Sequence, residues 1–226
     1  MYASTIAIAD ESRISKNVYG GGNFGFIGTD GGDKSSSIFI LGGTTYGSIF
    51  GGSNNQQGQK VNIQMTGGTV IGGVYGGSNA SGTVAGPVSI DIIGGTVGES
   101  GIDPETSEVG HVFGSGYGEG TEVTGNVTVT IGAADGMTTH QDNPVINGNV
   151  YGGGHAAPYI STGKTFKVTC QNGKIMGNVF GGGKGATATV TGPTDVLLRG
   201  SVLVKGNVFG GGQAAAVDGS THVQME

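Results

Sequence analysis

A four-residue block of one β-branched residue, one aromatic residue and two small residues recurs seven times along the chain. Its aromatic positions are Tyr19, Phe50, Tyr75, Phe113, Tyr151, Phe180 and Phe209, at intervals of 25 to 38 residues. Self-similarity at such a period is typical of solenoids and arrays, in which one supersecondary unit stacks on copies of itself. The repeat therefore constrains the fold strongly and the function much less.

Each block is followed, after a polar loop, by a segment that alternates apolar and polar residues. These segments are 37–41, 61–65, 88–92, 127–131, 166–170 and 196–199. A period of two predicts a strand with one buried face, and no helical period is present. A turn comes next, often Gly-Gly-Thr, and a short third strand leads to the following aromatic block.

Three strands in about 30 residues predict that each repeat is one coil of a parallel β-helix, an all-β fold with about seven rungs. Two smaller rungs per repeat are the alternative. A β-propeller fits less well, because its blades need four antiparallel strands. The predicted organisation is one solenoid domain over residues 1–226, with long loops at 98–110 and 133–148.

Glycine supplies 51 of the 226 residues, a share that would indicate disorder in an aperiodic chain. Here the glycines are in phase with the strands, which is expected where the chain turns or where two backbones come close. Residues 4–8 and 221–225 resemble middle strands of incomplete repeats. The pattern therefore predicts uncapped ends, which belong either to a segment of a larger repetitive protein or to a subunit whose ends meet other copies.

Composition argues against several classes of function. The formal net charge is −6 and no basic stripe is present, so nucleic acid is not an expected partner. No apolar run approaches the length of about 18 residues needed to span a membrane, and membrane insertion is not expected. Cys170 is the single cysteine and cannot form an intramolecular disulfide.

The seven aromatic residues are the first candidate for a functional surface. The residue before each of them is Val or Ile, which is expected to point inward, so strict alternation would send the rings outward as a stacked ladder. An exposed ladder would be a platform for sugar rings or for another solenoid. The alternative is that the rings tuck into a corner of the coil and are buried, since rings at the rung spacing pack well.

The loop 98–110 is the second candidate, because insertions on one side of a solenoid often carry binding functions. Its acidic residues are Glu99, Asp103, Glu105 and Glu108, and the loop 133–148 adds Asp135, His140 and Asp142. Clustered carboxylates can hold calcium. No calcium-loop spacing is present, however, here or at Asp30 and Asp33, so a solvated acidic loop is the favoured interpretation and no metal is predicted.

No catalytic constellation or cofactor motif is recognisable, and the chain is not predicted to be an enzyme. A polysaccharide lyase or hydrolase on this fold would need convergent carboxylates, or a base beside a metal. The four histidines, His111, His140, His155 and His222, occupy different phases of the repeat. The glycine triplets precede no helix and do not match a nucleotide-binding fingerprint.

The recurring Gly-Asn-Val-Phe-Gly-Gly-Gly and Ile-x-Gly-Gly-Thr-Val blocks resemble the glycine-rich repeats of large bacterial cell-surface, adhesin-like proteins and, more loosely, autotransporter passenger domains. The resemblance covers nearly the whole chain. It implies an extracellular β-solenoid that acts as a stalk or adhesive surface, with no catalytic residues. Its partners would be neighbouring repeats, other copies of itself, or glycans of a host or cell surface. The alternatives are a self-assembling filament subunit, and a β-helix that binds or degrades carbohydrate.

Overall fold

A computed structural model describes residues 2–23, 34–55, 60–133, 143–160 and 163–226. Asp30, Asp33, Asp135, His140 and Asp142, which the sequence offered as loop candidates, lie outside the described residues. The described part contains β-strands and no helix. Every strand pair is parallel, which confirms the β-solenoid and excludes the propeller arrangement.

Three sheets run the length of the molecule, because each coil contributes one strand to each of them. Sheet 1 has eight strands, at Tyr2–Ile8, Lys34–Ile40, Lys60–Met65, Val88–Ile92, Val127–Ile131, Phe166–Cys170, Thr194–Leu198 and Thr221–Met225. Sheet 2 has seven strands, at Arg13–Ile14, Thr44–Thr45, Thr69–Val70, Thr96–Val97, Val145–Ile146, Lys174–Ile175 and Leu203–Val204. Sheet 3 has seven strands, at Val18–Tyr19, Ile49–Phe50, Val74–Tyr75, Val112–Phe113, Val150–Tyr151, Val179–Phe180 and Val208–Phe209. One coil per repeat is therefore the correct interpretation.

The core follows from the alternation of the sheet 1 strands. In Val88–Ile92 and Val127–Ile131 the first, third and fifth side chains are buried, while the second and fourth are partly exposed. The parallel register pairs buried positions of one strand with buried positions of the next, so that Ile63, Ile90 and Val129 lie one above another with no exposed surface. Stacked β-branched side chains at the rung spacing of about 4.8 Å fill the interior of the coil.

Two short sheets add a further side to the later coils. One pairs Ser81–Val84 with Gly120–Val123, and the other pairs Tyr159–Ile160 with Val190–Thr191 and Val217–Asp218. The sequence reading missed them, because their segments are short and have no alternating pattern. The predicted third strand is also divided: Lys174–Ile175 ends before Gly177, and Val179–Phe180 begins after it.

Two glycine positions show why this residue is so frequent. Gly51 follows an aromatic residue, and a Cβ there would strike a Val61 methyl group and lie 2.8 Å from the Gly76 carbonyl oxygen. Gly68 turns the chain between sheets 1 and 2 with φ of +78°, a conformation that other residues rarely adopt. Close approach of coils and tight turns therefore explain glycine at a fixed phase.

The outermost strands of sheet 1 are Tyr2–Ile8 and Thr221–Met225. The last described coil leaves apolar side chains open: Val223 is 37% exposed, Phe209 43% and Met225 73%. Residues at the same phase of inner coils are covered by the next coil, as Phe180 is.

Candidate functional site

The seven aromatic residues of sheet 3 form one continuous column, here called the aromatic row. Neighbouring ring centroids are 4.5 to 5.3 Å apart and the ring planes are within 13° of parallel. This distance is close to the strand spacing, because the parallel register of sheet 3 places each ring over the next. Such stacking adds stability beyond the burial of the rings.

The rings face away from the main core, as strict alternation predicted. Val112 and Val150 belong to the core inside the coil, whereas Phe113 and Tyr151 belong to a separate apolar cluster on the other face of sheet 3. The rings are nevertheless covered: Phe50, Tyr75, Phe113, Tyr151 and Phe180 are buried, Tyr19 is partly buried, and only Phe209 is exposed. The row therefore offers no open platform along its central five rings.

One flank of the aromatic row is the turn row, formed by the residue two positions before each ring: Asn17, Ser48, Gly73, His111, Asn149, Asn178 and Asn207. Its side chains accept backbone hydrogen bonds from the next coil. Asn149 Oδ1 accepts from the Asn178 N–H at 2.6 Å, and Asn178 Oδ1 accepts from the Asn207 N–H at 2.6 Å. His111 takes the same role, since its Nδ1 accepts from the Asn149 N–H at 2.8 Å. The polar side chain at this position therefore has a structural role, because it accepts a hydrogen bond from the backbone of the next coil.

The other flank is the outer row, formed by the residue four positions after each ring: Asn23, Asn54, Asn79, Tyr117, His155, Lys184 and Gln213. Asn79 Nδ2 donates to Asn54 Oδ1 at 2.8 Å, and Asn54 Nδ2 donates to Asn23 Oδ1 at 2.6 Å. The last four members are joined by parallel bridges. Sequence reasoning missed this row because its residue types differ from coil to coil, and only the constant offset from the ring reveals it.

The acidic loop 98–110, here called the strap, lies across the aromatic row. Asn149 Nδ2 donates to the Pro104 carbonyl oxygen at 2.8 Å, and Asn178 Nδ2 donates to Glu105 Oε1. Lys184 Nζ lies 3.1 Å from Glu108 Oε1. The strap, which belongs to the coil of Phe113, is therefore fastened to side chains of the coils of Tyr151 and Phe180, on both flanks of the aromatic row.

The four carboxylates of the strap have different surroundings. Glu105 and Glu108 contact the turn row and the outer row, whereas Asp103 accepts hydrogen bonds from Glu105 N and Thr106 Oγ1 inside the strap, both at 3.0 Å. Glu99 is exposed at the start of the strap. Glu105 and Glu108 thus hold the strap on the solenoid, and Asp103 stabilises a turn within it.

Two histidines from different phases of the repeat both contact the strap, which their sequence positions did not indicate. His111 Nε2 lies 2.7 Å from the Ser107 carbonyl oxygen, and His155 Nε2 lies 3.6 Å from Glu108 Oε2. The His155 ring stacks on Phe113, with centroids 5.4 Å apart, and contacts Tyr117 edge-on. Burial lowers the pKa of both histidines, and Lys184 lowers it further.

Burial also raises the pKa of the Tyr75 and Tyr151 phenols and brings that of the Cys170 thiol to about 12. Cys170 is therefore an unreactive core residue. Across the described ranges no group of three or more His, Cys, Asp or Glu side chains is arranged to hold a metal ion. The same residues include no helix long and apolar enough to cross a membrane.

Comparison with known proteins returned no matching family, no matching curated protein and no matching solved structure. The function of the protein therefore has to be inferred from its own residues.

Proposed function

We propose that the protein is a non-enzymatic structural or adhesive β-solenoid, a stalk or adhesin segment of a bacterial surface protein. The observation that supports this most directly is the unbroken pairing of like residues from coil to coil in three sheets. The best-defined polar contacts, those of the turn row and the strap, join one part of the solenoid to another. Such an arrangement favours a rigid support, and the resemblance of the repeats to adhesin-like surface proteins supports its placement outside the cell.

Display on a non-adherent bacterium tests the adhesive role. We expect cells that carry the anchored chain to be retained under flow on mucin- or epithelium-coated glass several-fold more than cells that carry the anchor alone. A Phe113→Ala/Gly153→Ala variant, expected to disrupt the stacked coils, should lose this gain at equal surface expression. Retention that is the same for the variant and the intact chain would contradict adhesion through the folded solenoid.

The non-enzymatic part of the proposal has its own check. Incubation with a panel of neutral and acidic polysaccharides should release no new reducing ends. Turnover that falls in Glu108→Gln and persists in the matched control Glu99→Gln, whose carboxylate lies exposed on the same loop, would overturn the assignment.

A second candidate is a filament subunit that binds another copy of itself end to end. The exposed Val223, Phe209 and Met225 of the last coil favour it. A second copy could place Tyr19 over Phe209 and pair its strand Tyr2–Ile8 with Thr221–Met225, because both strands have the same apolar phase. These contacts would extend the aromatic row and sheet 1 into the second copy.

Sedimentation and electron microscopy over 1 to 200 µM protein, a concentration range chosen to reveal weak self-association, test this candidate. We expect rods that lengthen with concentration and shorten in Phe209→Asp, which places a charge at the junction. Monodisperse single rods throughout the range would contradict self-assembly and would favour a further coil of the same chain as the natural cover.

A further inference from the structure

The strap is built as a closed loop on a hinge. It begins at Gly98 and ends at Gly110, with φ of +85° and +80°, and a Cβ on Gly98 would lie 2.7 Å from the Gly110 Cα. Asn147 Nδ2 donates to the Gly98 carbonyl oxygen at 3.0 Å and holds this base on the solenoid. The two ends therefore meet, and the segment between them can leave the aromatic row without moving a strand.

His111 connects the strap to the solenoid through both ring nitrogens. Nδ1 accepts the Asn149 N–H, so it carries no proton, and Nε2 must donate its hydrogen to the Ser107 carbonyl oxygen. The neutral ring with its proton on Nε2 satisfies both partners. A second proton would be placed on Nδ1, where it would face the Asn149 N–H and break that hydrogen bond.

His155 is also held in an environment that suits the neutral ring. Its Nδ1 is buried and makes no hydrogen bond to any described residue, and its ring lies between Phe113 and Tyr117. Lys184 opposes a positive charge here, whereas Glu108 favours one from a distance of 3.6 Å. The Glu108 side chain is 68% exposed, so water screens its attraction.

We propose that the strap is a latch over the aromatic row, closed while His111 and His155 are neutral and released when they take up protons. Release would uncover Phe113, Tyr151 and Phe180, the rings of the coils that the strap bridges. The solenoid would then present a stacked aromatic surface in acid that is hidden at neutral pH.

The direction of the effect follows from the lowered pKa of both histidines in the closed state. Once released, the rings reach water and their pKa rises toward about 6.5, so the open state binds protons more tightly. The latch is therefore fully closed above about pH 6.5 and opens as the pH falls through the lower pKa of the closed state.

Hydrogen exchange followed by NMR, corrected for the intrinsic pH dependence of exchange, tests the latch. Protection of the strap contacts should fall at least about tenfold between pH 7.5 and pH 5.5, since one linked proton changes an equilibrium up to tenfold per pH unit. These contacts are the Asn149 N–H that His111 Nδ1 accepts, and the Asn149 and Asn178 side-chain amides that donate to the strap. The core amides of Ile90 and Val129 should keep their protection. Loss of protection in strap and core together would mean acid unfolding and would overturn the proposal, as would an unchanged strap.

The chain supplies matched control substitutions. His111→Asn introduces asparagine, the residue type that already acts as the acceptor at positions 149 and 178 of the turn row. His155→Gln introduces glutamine, the residue type found at Gln213 of the outer row. The double variant should show strap protection that does not change between pH 7.5 and 5.5. A double variant as pH-sensitive as the original chain would overturn the assignment to these histidines.

Titration of the histidine ring signals in the unmodified chain gives a readout that needs no variant. His111 should titrate below about pH 6.5, the usual value for a histidine, and its Nδ1 should have the chemical shift of an unprotonated nitrogen at pH 7. Titration of His111 at the usual value of about pH 6.5 would contradict the latch.

Discussion

Replacing Phe113 by alanine is expected to destabilise the protein by about 3–5 kcal/mol, the usual cost of truncating a buried aromatic side chain. The ring has no exposed surface and stacks on Tyr75 and Tyr151 with centroids 5.0 and 4.5 Å away. The His155 ring also packs on it. Alanine would leave a cavity in the middle of the column, and equilibrium unfolding in urea measures the loss.

Phe209→Ala is the matched control. Phe209 occupies the same phase of the repeat, but it is 43% exposed and stacks on Phe180 alone. Its truncation should cost less than half as much as that of Phe113. Equal costs at low protein concentration would contradict the burial difference, whereas a cost of Phe209→Ala that grows with concentration would indicate that a second copy covers the last coil.

Gly153→Ala is expected to destabilise the protein by about 3 kcal/mol, the upper end of the usual range for overpacking. A Cβ at this position would lie 2.7 Å from the Gly183 nitrogen and 2.8 Å from its Cα. These are backbone atoms of the next coil, held by the Gly153 N–H to Gly182 O hydrogen bond, so they cannot rotate away. Thermal and urea unfolding should both show the loss.

Gly211 gives the control, because it has the same place in the repeat and a Cβ there would meet no atom within 4 Å. Gly211→Ala should leave stability within about 0.5 kcal/mol of the original, as for an ordinary surface substitution. If both alanines cost the same, the clash with the following coil is not the cause. A selective effect of Gly211→Ala on rod length would instead support end-to-end assembly.

The sequence predicted the coil, the three sheets and the inward phase of residues such as Ile90 and Val129, because a period of two within a longer repeat leaves few alternatives. The strand Thr194–Leu198 begins two residues before its apolar pattern, since the backbone of Thr194 pairs with Phe166 whatever its side chain. A hydrogen-bonded register depends on the neighbouring strand, which a single repeat does not reveal.

The burial of the rings of the aromatic row was less predictable from the sequence than the fold. The outward direction of Phe113 and Tyr151 followed from alternation, but their burial depends on the strap and on residues such as His155 and Lys184 from other coils. His155 and Glu108 are 47 residues apart in the chain and have no common motif. Only the stacking of coils brings them together, so the sequence left open whether the row is exposed or covered.

The strap also limits how the number of repeats can change. Its contacts reach His111, Asn149 and Asn178 in three consecutive coils, and Glu108 must meet Lys184 in the third. Deleting or duplicating a repeat between Phe113 and Phe180 would shift every one of the later partners by one position. Before the strap, one described contact has a similar reach: Asn79 Nδ2 in the third coil donates to the Tyr19 hydroxyl in the first coil at 3.1 Å. Changes in the number of repeats by recombination should therefore be selected against more strongly in the bridged block, where three strap contacts would be displaced together, than in the first three coils, where one contact of this reach is described.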